Sequence, residues 1–199
     1  GGIIQAIAGE HASLTGGRKA AFLHFDAHTD AYEKVPHFLG AIKSAAHWAS
    51  FLVRQGQIDA HSSVQIGMRG NPRTLDWLAP STELGYEVIT MERYRSLGMS
   101  ETIKIILDRI GDVPLYITFD LDCMDPTVAP GVANIEAGVQ GFQIDEVMEL
   151  LRCVRGRNII GGDVVCMMPT KDAPNQITAH TASAVMFEII SLIADYLKG

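Results

Sequence analysis

The residues whose types and spacing could do chemistry lie in two short segments. Asp26, His28 and Asp30 stand at alternate positions in Asp26-Ala27-His28-Thr29-Asp30, and Asp120 and Asp122 do so in Phe119-Asp120-Leu121-Asp122-Cys123-Met124-Asp125-Pro126. Alternate residues of an extended chain point the same way, so each segment offers hard ligands converging on one point. His11, in Gly9-Glu10-His11 after another apolar run, is a further candidate ligand. A mixed carboxylate and imidazole set suits Mn²⁺, and also Fe²⁺, Co²⁺, Ni²⁺ or Zn²⁺, whereas Ca²⁺ avoids imidazole. Two divalent cations would balance the charges of Asp26, Asp30, Asp120 and Asp122, and such a pair lowers the pKa of a shared water toward neutrality. A lone Asp after a strand is ordinarily a helix cap or a turn residue. Several carboxylates behind buried runs are another matter, because burying them without cations is costly.

The elements that must position these residues follow from the apolar patterning. Runs at 3–8, 20–25, 63–68, 86–90, 115–119 and 158–165 read as strands, with a turn at Arg69-Gly70-Asn71-Pro72. Stretches 101–110, 144–154 and 178–197 read as helices, the first through Ile103, Ile105, Ile106 and Ile110 and the second through Val147, Leu150, Leu151 and Val154. Continuous apolar strands alternating with helices predict a mainly parallel sheet covered on both faces, an α/β fold of three layers. Ligands of such sheets bind beyond the carboxyl ends of the strands, where segments 9–11, 26–30, 120–125 and 166–169 all fall.

At 199 residues the chain is expected to form one domain. Its net charge of −7, without a Lys/Arg run, argues against a nucleic-acid partner. Cys123, Cys153 and Cys166 form no paired framework and no Cys-x-x-Cys zinc knuckle. No basic-apolar signal start and no long apolar span stand out, so no membrane partner and a cytoplasmic location are expected. The chain opens at Gly1 without Met, which leaves an upstream segment open.

At these residues the chain resembles the ureohydrolase (arginase/agmatinase) family. Gly9-Glu10-His11-Ala12-Ser13 is similar to the family's G-[GD/GE]-H-S segment, Asp26–Asp30 to its D-A-H-x-D, FDLDCMDPTVAPG from Phe119 to Gly131 to its FDxDxxDPxxAPG, and Gly162–Pro169 to its GxDVVExxP. The agmatinase-like branch is nearer than arginase, by the Asp120–Asp125 wording and by Phe142 after the Gly138–Gly141 loop. The resemblance implies an arginase-like α/β/α fold with a binuclear centre, most often of Mn²⁺, with Ni²⁺ the main alternative. Asp26 and Asp120 would bridge both ions, His11 and Asp30 would complete one, and His28 and Asp122 the other. Asp30 would also orient the hydrolytic water. His47 in Ala45-Ala46-His47-Trp48 falls where the family has a histidine that returns a proton to the leaving amine, although Trp48 replaces the expected Gly. Glu136 resembles the family's glutamate after APG and would bind substrate. The implied reaction is hydrolysis of an amidino C–N bond, giving urea or a substituted urea and an amine. The family's trimers or hexamers imply a homo-oligomer, or a hetero-oligomer with a paralogue.

The chain also departs from the pattern. Cys166 stands where the family has the Glu of V-V-E. That Glu would bind a guanidinium through a bidentate, charge-assisted pair, which a thiol cannot form. The loss matters least for an alkylated guanidine, a biguanide or a neutral amidine. His11 and Asp26 stand closer together than the family's spacing, as if part of the layer between them were deleted, and the family's N-terminal segment is not found upstream of Ile3. Three functions therefore compete: an active hydrolase on an atypical amidino substrate, a catalytically silent or supporting subunit, and an ordinary agmatinase or guanidinobutyrase with another anchor such as Glu136. A cysteine nucleophile at Cys166 is the weakest alternative, since the metal cluster already supplies one. His24 reads as a packed, hydrogen-bonded residue, His37 and His61 as loop residues, and His180 as part of a helix face.

Overall fold

The computed structural model describes residues 2–32, 44–70 and 74–198. His37, and Asn71 and Pro72 of the expected turn, lie outside the described residues. The strands are β1 (Ala21–Phe25), β2 (Val64–Met68), β3 (Glu87–Thr90), β4 (Leu115–Asp120) and β5 (Ile159–Val165). They pair in the order β3-β2-β1-β4-β5, and every pairing is parallel. The main helices are α1 (Gly2–Leu14), α2 (Trp48–Arg54), α3 (Ala79–Leu84), α4 (Met91–Leu97), α5 (Met99–Ile110), α6 (Ile144–Arg152) and α7 (Ile177–Lys198). Helices α1 to α3 share a core on one face of the sheet, and α4 to α7 share one on the other. The expected three-layer α/β/α architecture is present.

One expectation fails. Residues 3–8 are not a strand but the opening of α1. A short apolar run cannot by itself separate a buried strand from a buried helix. Here Ile4 and Ala8, four apart, form the buried stripe, and Ala6, Ala8 and Ala12 favour the helix. His11 lies in the last turn of this helix, so α1 precedes the short interval between His11 and Asp26 rather than filling it.

The central strands show why the site forms where it does. Along β1, Ala21, Leu23 and Phe25 join the core under α4–α7, as do Leu115, Ile117 and Phe119 of β4. The alternate residues face α1–α3. They begin apolar, with Phe22 and Tyr116, and become polar toward the strand ends, through His24 and Thr118 to Asp26 and Asp120. Continuous burial thus conceals two unlike faces.

The loop after β4 folds back onto this end of the sheet. The Phe142 N–H donates to the Cys123 carbonyl at 3.0 Å, and the Asp125 N–H to the Phe142 carbonyl at 2.9 Å. The Phe142 ring lies 5.0 Å from Tyr94 and 6.3 Å from Phe25, both edge-on, contacts worth about 0.5–1.5 kcal/mol each beyond the area they bury. Gly67 makes room for this. At φ 103°, a Cβ there would meet the Asp26 carbonyl at 2.9 Å and Phe142 at 3.0 Å.

Helix α7 has the length and apolar composition of a membrane span, contrary to the expectation that no such stretch exists. It nevertheless packs one stripe, Thr178, Thr181, Val185, Ile189 and Leu192, into the protein.

Candidate metal centre

The ends of β1 and β4 bring Asp26, His28 and Asp122 together, with one ligand atom from each lying within 4.8 Å of the others. Asp26 is the hub. Its Oδ1 accepts the His28 backbone N–H at 2.6 Å and lies 3.3 Å from His28 Nδ1, and its Oδ2 lies 2.8 Å from His24 Nε2. Asp122 accepts the Ala27 N–H at 3.1 Å through Oδ1, and its Oδ2 lies 3.2 Å from His28 Nδ1. Asp120 accepts the Asp122 N–H at 2.9 Å and is hydrogen-bonded to the Cys166 thiol. The Ala27 N–H therefore ties the two loops to each other, and each loop is braced internally by a backbone donor to its own first Asp, as carboxylates at helix and turn starts are.

The electrostatics are those of a site short of positive charge. Burial opposes ionisation of Asp26, yet the hydrogen bonds from His24 and His28 outweigh it and hold that carboxyl well below the usual range. Its charge is then felt by the others. Burial, followed by the charge of Asp26, pushes Asp30 up to about 7 and raises Asp120 and Asp122 as well. Burial lowers the His28 imidazole, but hydrogen bonds to Asp122 and Asp26 override it and hold the group up at about 12. Cations next to such groups are strongly favoured. By donor chemistry and by charge, the residues fit a divalent ion.

Asp30 sits in the left-handed backbone region, at φ 48°. Its Oδ2 accepts the indole N–H of Trp48 at 2.7 Å, and its carbonyl accepts the Ala49 N–H at 3.0 Å. Trp48, seen in the sequence only as a departure, is thus the residue that fixes Asp30. His47 is buried, with its Nδ1 held by the Ser44 hydroxyl at 2.7 Å. It opens onto a cavity of about 760 Å³ shared with Asp26, Asp30, Asp120 and Cys166. Cys166 itself is exposed and lies in the left-handed region at φ 65°. Although the residue is exposed, its thiol is desolvated on the cavity side beside Asp120, and both effects raise that group, which disfavours a free thiolate nucleophile there.

Of two further expected residues, His11 stands away from the cluster and Glu136 stands against it. His11 does not follow a strand. It lies on α1 seven residues beyond Ile4, about 10 Å along the axis, and it is Gly2, Ile4 and Gln5 of this helix that line the cavity. His11 Nε2 is buried without a partner among the described residues. Spacing misled because the run before it is helical. Glu136 is close to the cluster, but its Oε1 lies 3.0 Å from His28 Nε2, so it engages a candidate ligand directly. A Cβ at Gly70 would strike the same carboxylate.

Sequence reasoning missed Arg69. This buried guanidinium donates to the carbonyls of Asp122 and Met124, at 2.8 Å each, of Val139 at 3.0 Å, and of Glu136. It therefore ties the loop carrying Asp122 to the loop carrying Glu136. An Arg directly after a buried strand was the available signal.

Comparison with known proteins agrees with this geometry. Residues 1–191 match the profile of the arginase family. The chain belongs to the arginase family. It is 33% identical over 183 residues to an agmatinase of Neisseria meningitidis serogroup C, covering 91% of this chain and 52% of that protein. It is also 33% identical over 180 residues to a guanidinopropionase of Pseudomonas aeruginosa, covering 89% and 54%. The solved proclavaminate amidino hydrolase of Streptomyces clavuligerus superposes with a TM-score of 0.82 at 30% identity, covering 98% of this chain and 60% of that one. The chain spans about half the length of the curated relatives it matches. The expected agmatinase-like character of this arginase-family chain is supported by these relatives.

Proposed function

We propose that this chain carries the metal centre of a ureohydrolase that cleaves an amidino C–N bond of a linear guanidine or amidine, releasing urea or a substituted urea and an amine. The observation that carries the reading is the convergence of buried Asp26 and Asp122 with half-buried His28 from adjacent central strands. One divalent ion would draw on these three residues. A second would draw on Asp26, Asp30 and Asp120, which border one cavity. Mn²⁺ is the favoured ion and Ni²⁺ the alternative. When bound, such a pair polarises the substrate and activates water for hydrolysis.

The chain's own residues then divide the work. Asp30, anchored by Trp48, borders the cavity and orients the attacking water. His47, with Nδ1 fixed by Ser44, presents Nε2 as the group that moves a proton to the leaving amine. Glu136 orients His28. At the place of the family's guanidinium-binding Glu, Cys166 offers no charge, which favours more heavily alkylated guanidines, biguanides or neutral amidines over a singly substituted guanidinium.

The test is mass-spectrometric detection of urea or substituted urea from a panel of guanidines and biguanides. The protein is purified alone and loaded in parallel with Mn²⁺ or Ni²⁺. Turnover that disappears in Asp122→Ala supports the reading, and turnover that survives it sinks it. Cys166 also favours a second reading, a silent subunit supporting a Glu-bearing paralogue in a mixed oligomer. Metal binding without turnover, together with co-purification of such a paralogue, would establish that reading instead.

A further inference from the structure

One row of residues below the carboxylates, the sheet carries a continuous polar ladder. Gln65 of β2 pairs in register with His24 of β1, His24 with Thr118 of β4, and Thr118 with Asp163 of β5. Gln65, His24 and Thr118 are buried. Polar groups placed inside a sheet are costly unless their hydrogen bonds have a purpose or a partner. On the β5 side the partners are local, for Thr118 Oγ1 and the Tyr116 hydroxyl both donate to Asp163, at 2.7 and 2.9 Å. On the β2 side they form a chain leading to Asp26.

The direction of that chain can be worked out atom by atom. The Gln65 side-chain nitrogen donates to the Thr29 carbonyl at 2.7 Å. A carbonyl only accepts, so the amide cannot be turned the other way. The same nitrogen lies 3.0 Å from His24 Nδ1, which must then accept, since an N–H there would face another N–H. The ring is therefore the tautomer with its hydrogen on Nε2, and that hydrogen points at Asp26 Oδ2, 2.8 Å away. Trp48 closes off the ring edge-on at 4.9 Å between centroids. A backbone carbonyl thus orients an amide, the amide sets a tautomer, and the tautomer aims one donor at the hub of the cluster.

We infer that His24 is a positioning residue for the metal centre, oriented by Gln65, and that its Nε2–H fixes which face of the Asp26 carboxylate is presented to the cation. The inference rests on the metal reading above. Outer partners of this kind orient a ligand and govern how well it binds.

The test measures Mn²⁺ affinity of the whole chain by competition with a chelator, for the parent, His24→Leu and His24→Gln. Leu removes the donor, whereas the Gln side-chain amide can replace Nε2–H. Mn²⁺ should bind about 10–100-fold more weakly to the Leu variant and within about threefold of the parent to the Gln variant. Equal binding by His24→Leu and the parent overturns the inference. So does an equal loss in both variants, because the donor would then not be what matters. If the parent itself does not bind Mn²⁺, the metal reading falls and takes this inference with it. Should His24→Leu not fold, nitrogen-15 NMR of the parent reads the tautomer directly: a hydrogen on Nε2 is expected, and one on Nδ1 overturns the assignment.

Discussion

The ends of β1 and β4 and the flank formed by α1 and β5 contribute to the same cavity, yet they are built differently. At β1 and β4 each candidate ligand follows a fully buried central strand and is tied by backbone hydrogen bonds to its neighbour, as Asp122 is to Ala27 and Asp120 to Asp122. On the flank, α1 offers the cavity Gly2, Ile4 and Gln5, and β5, an edge strand, ends at an exposed Cys166. The protein holds its charge-bearing groups where the chain has least freedom and leaves the apolar and uncharged Ile4, Gln5 and Cys166 at the margin. This is the arrangement expected if the inner pair binds the cation and the flank selects what reaches it.

The comparison can be broken most decisively at the inner pair. Asp122→Ala should abolish high-affinity Mn²⁺ binding and lower any turnover by about 10³-fold or more, as expected when several kcal/mol of metal-supplied stabilisation are lost. Chelator competition beside the product assay checks this, and intact Mn²⁺ binding would show that the inner pair is not the centre. Next in size is Arg69→Met, which removes the donors joining the Asp122 and Glu136 loops. It should cost about 2–4 kcal/mol in denaturant unfolding and weaken Mn²⁺ binding with it. A stability loss with unchanged Mn²⁺ affinity would confine Arg69 to the scaffold.

The flank should respond more mildly and in the opposite sense. Cys166→Glu restores a carboxylate able to pair with a guanidinium, so kcat/KM for a singly substituted guanidine such as agmatine should rise about 10–100-fold. No rise would mean that another group already anchors the cation. The smallest effect is expected at His11. Because its Nε2 is buried without a partner among the described residues, His11→Leu should be neutral or stabilising by up to about 1 kcal/mol, with Mn²⁺ affinity unchanged. A tenfold weaker Mn²⁺ affinity would instead reinstate it as a ligand.

The uneven legibility of the site has the same origin. Asp26, His28 and Asp122 could be read because a buried strand fixes the direction of the residues at its end, so alternation in sequence becomes convergence in space. His11 was misplaced because an apolar run of that length fits a helix as well as a strand, and a helix carries its later residues away from the sheet end. Trp48 was visible only as an irregularity until its indole was found on Asp30. Gln65 and His24 lie forty-one residues apart, and nothing local in either strand marks their pairing.

By itself, then, the sequence determined the alternating strands and helices, the parallel sheet, the inner carboxylates and histidine, and the family likeness that relatives confirm. Each of these is written in short-range periodicity or in a contiguous motif. The tertiary structure alone decided that the first segment is a helix, that Arg69 clamps two loops, and that Gln65 sets the tautomer with which His24 meets Asp26. Those facts depend on strand order and register, which bring distant residues within hydrogen-bonding reach and which no local pattern encodes.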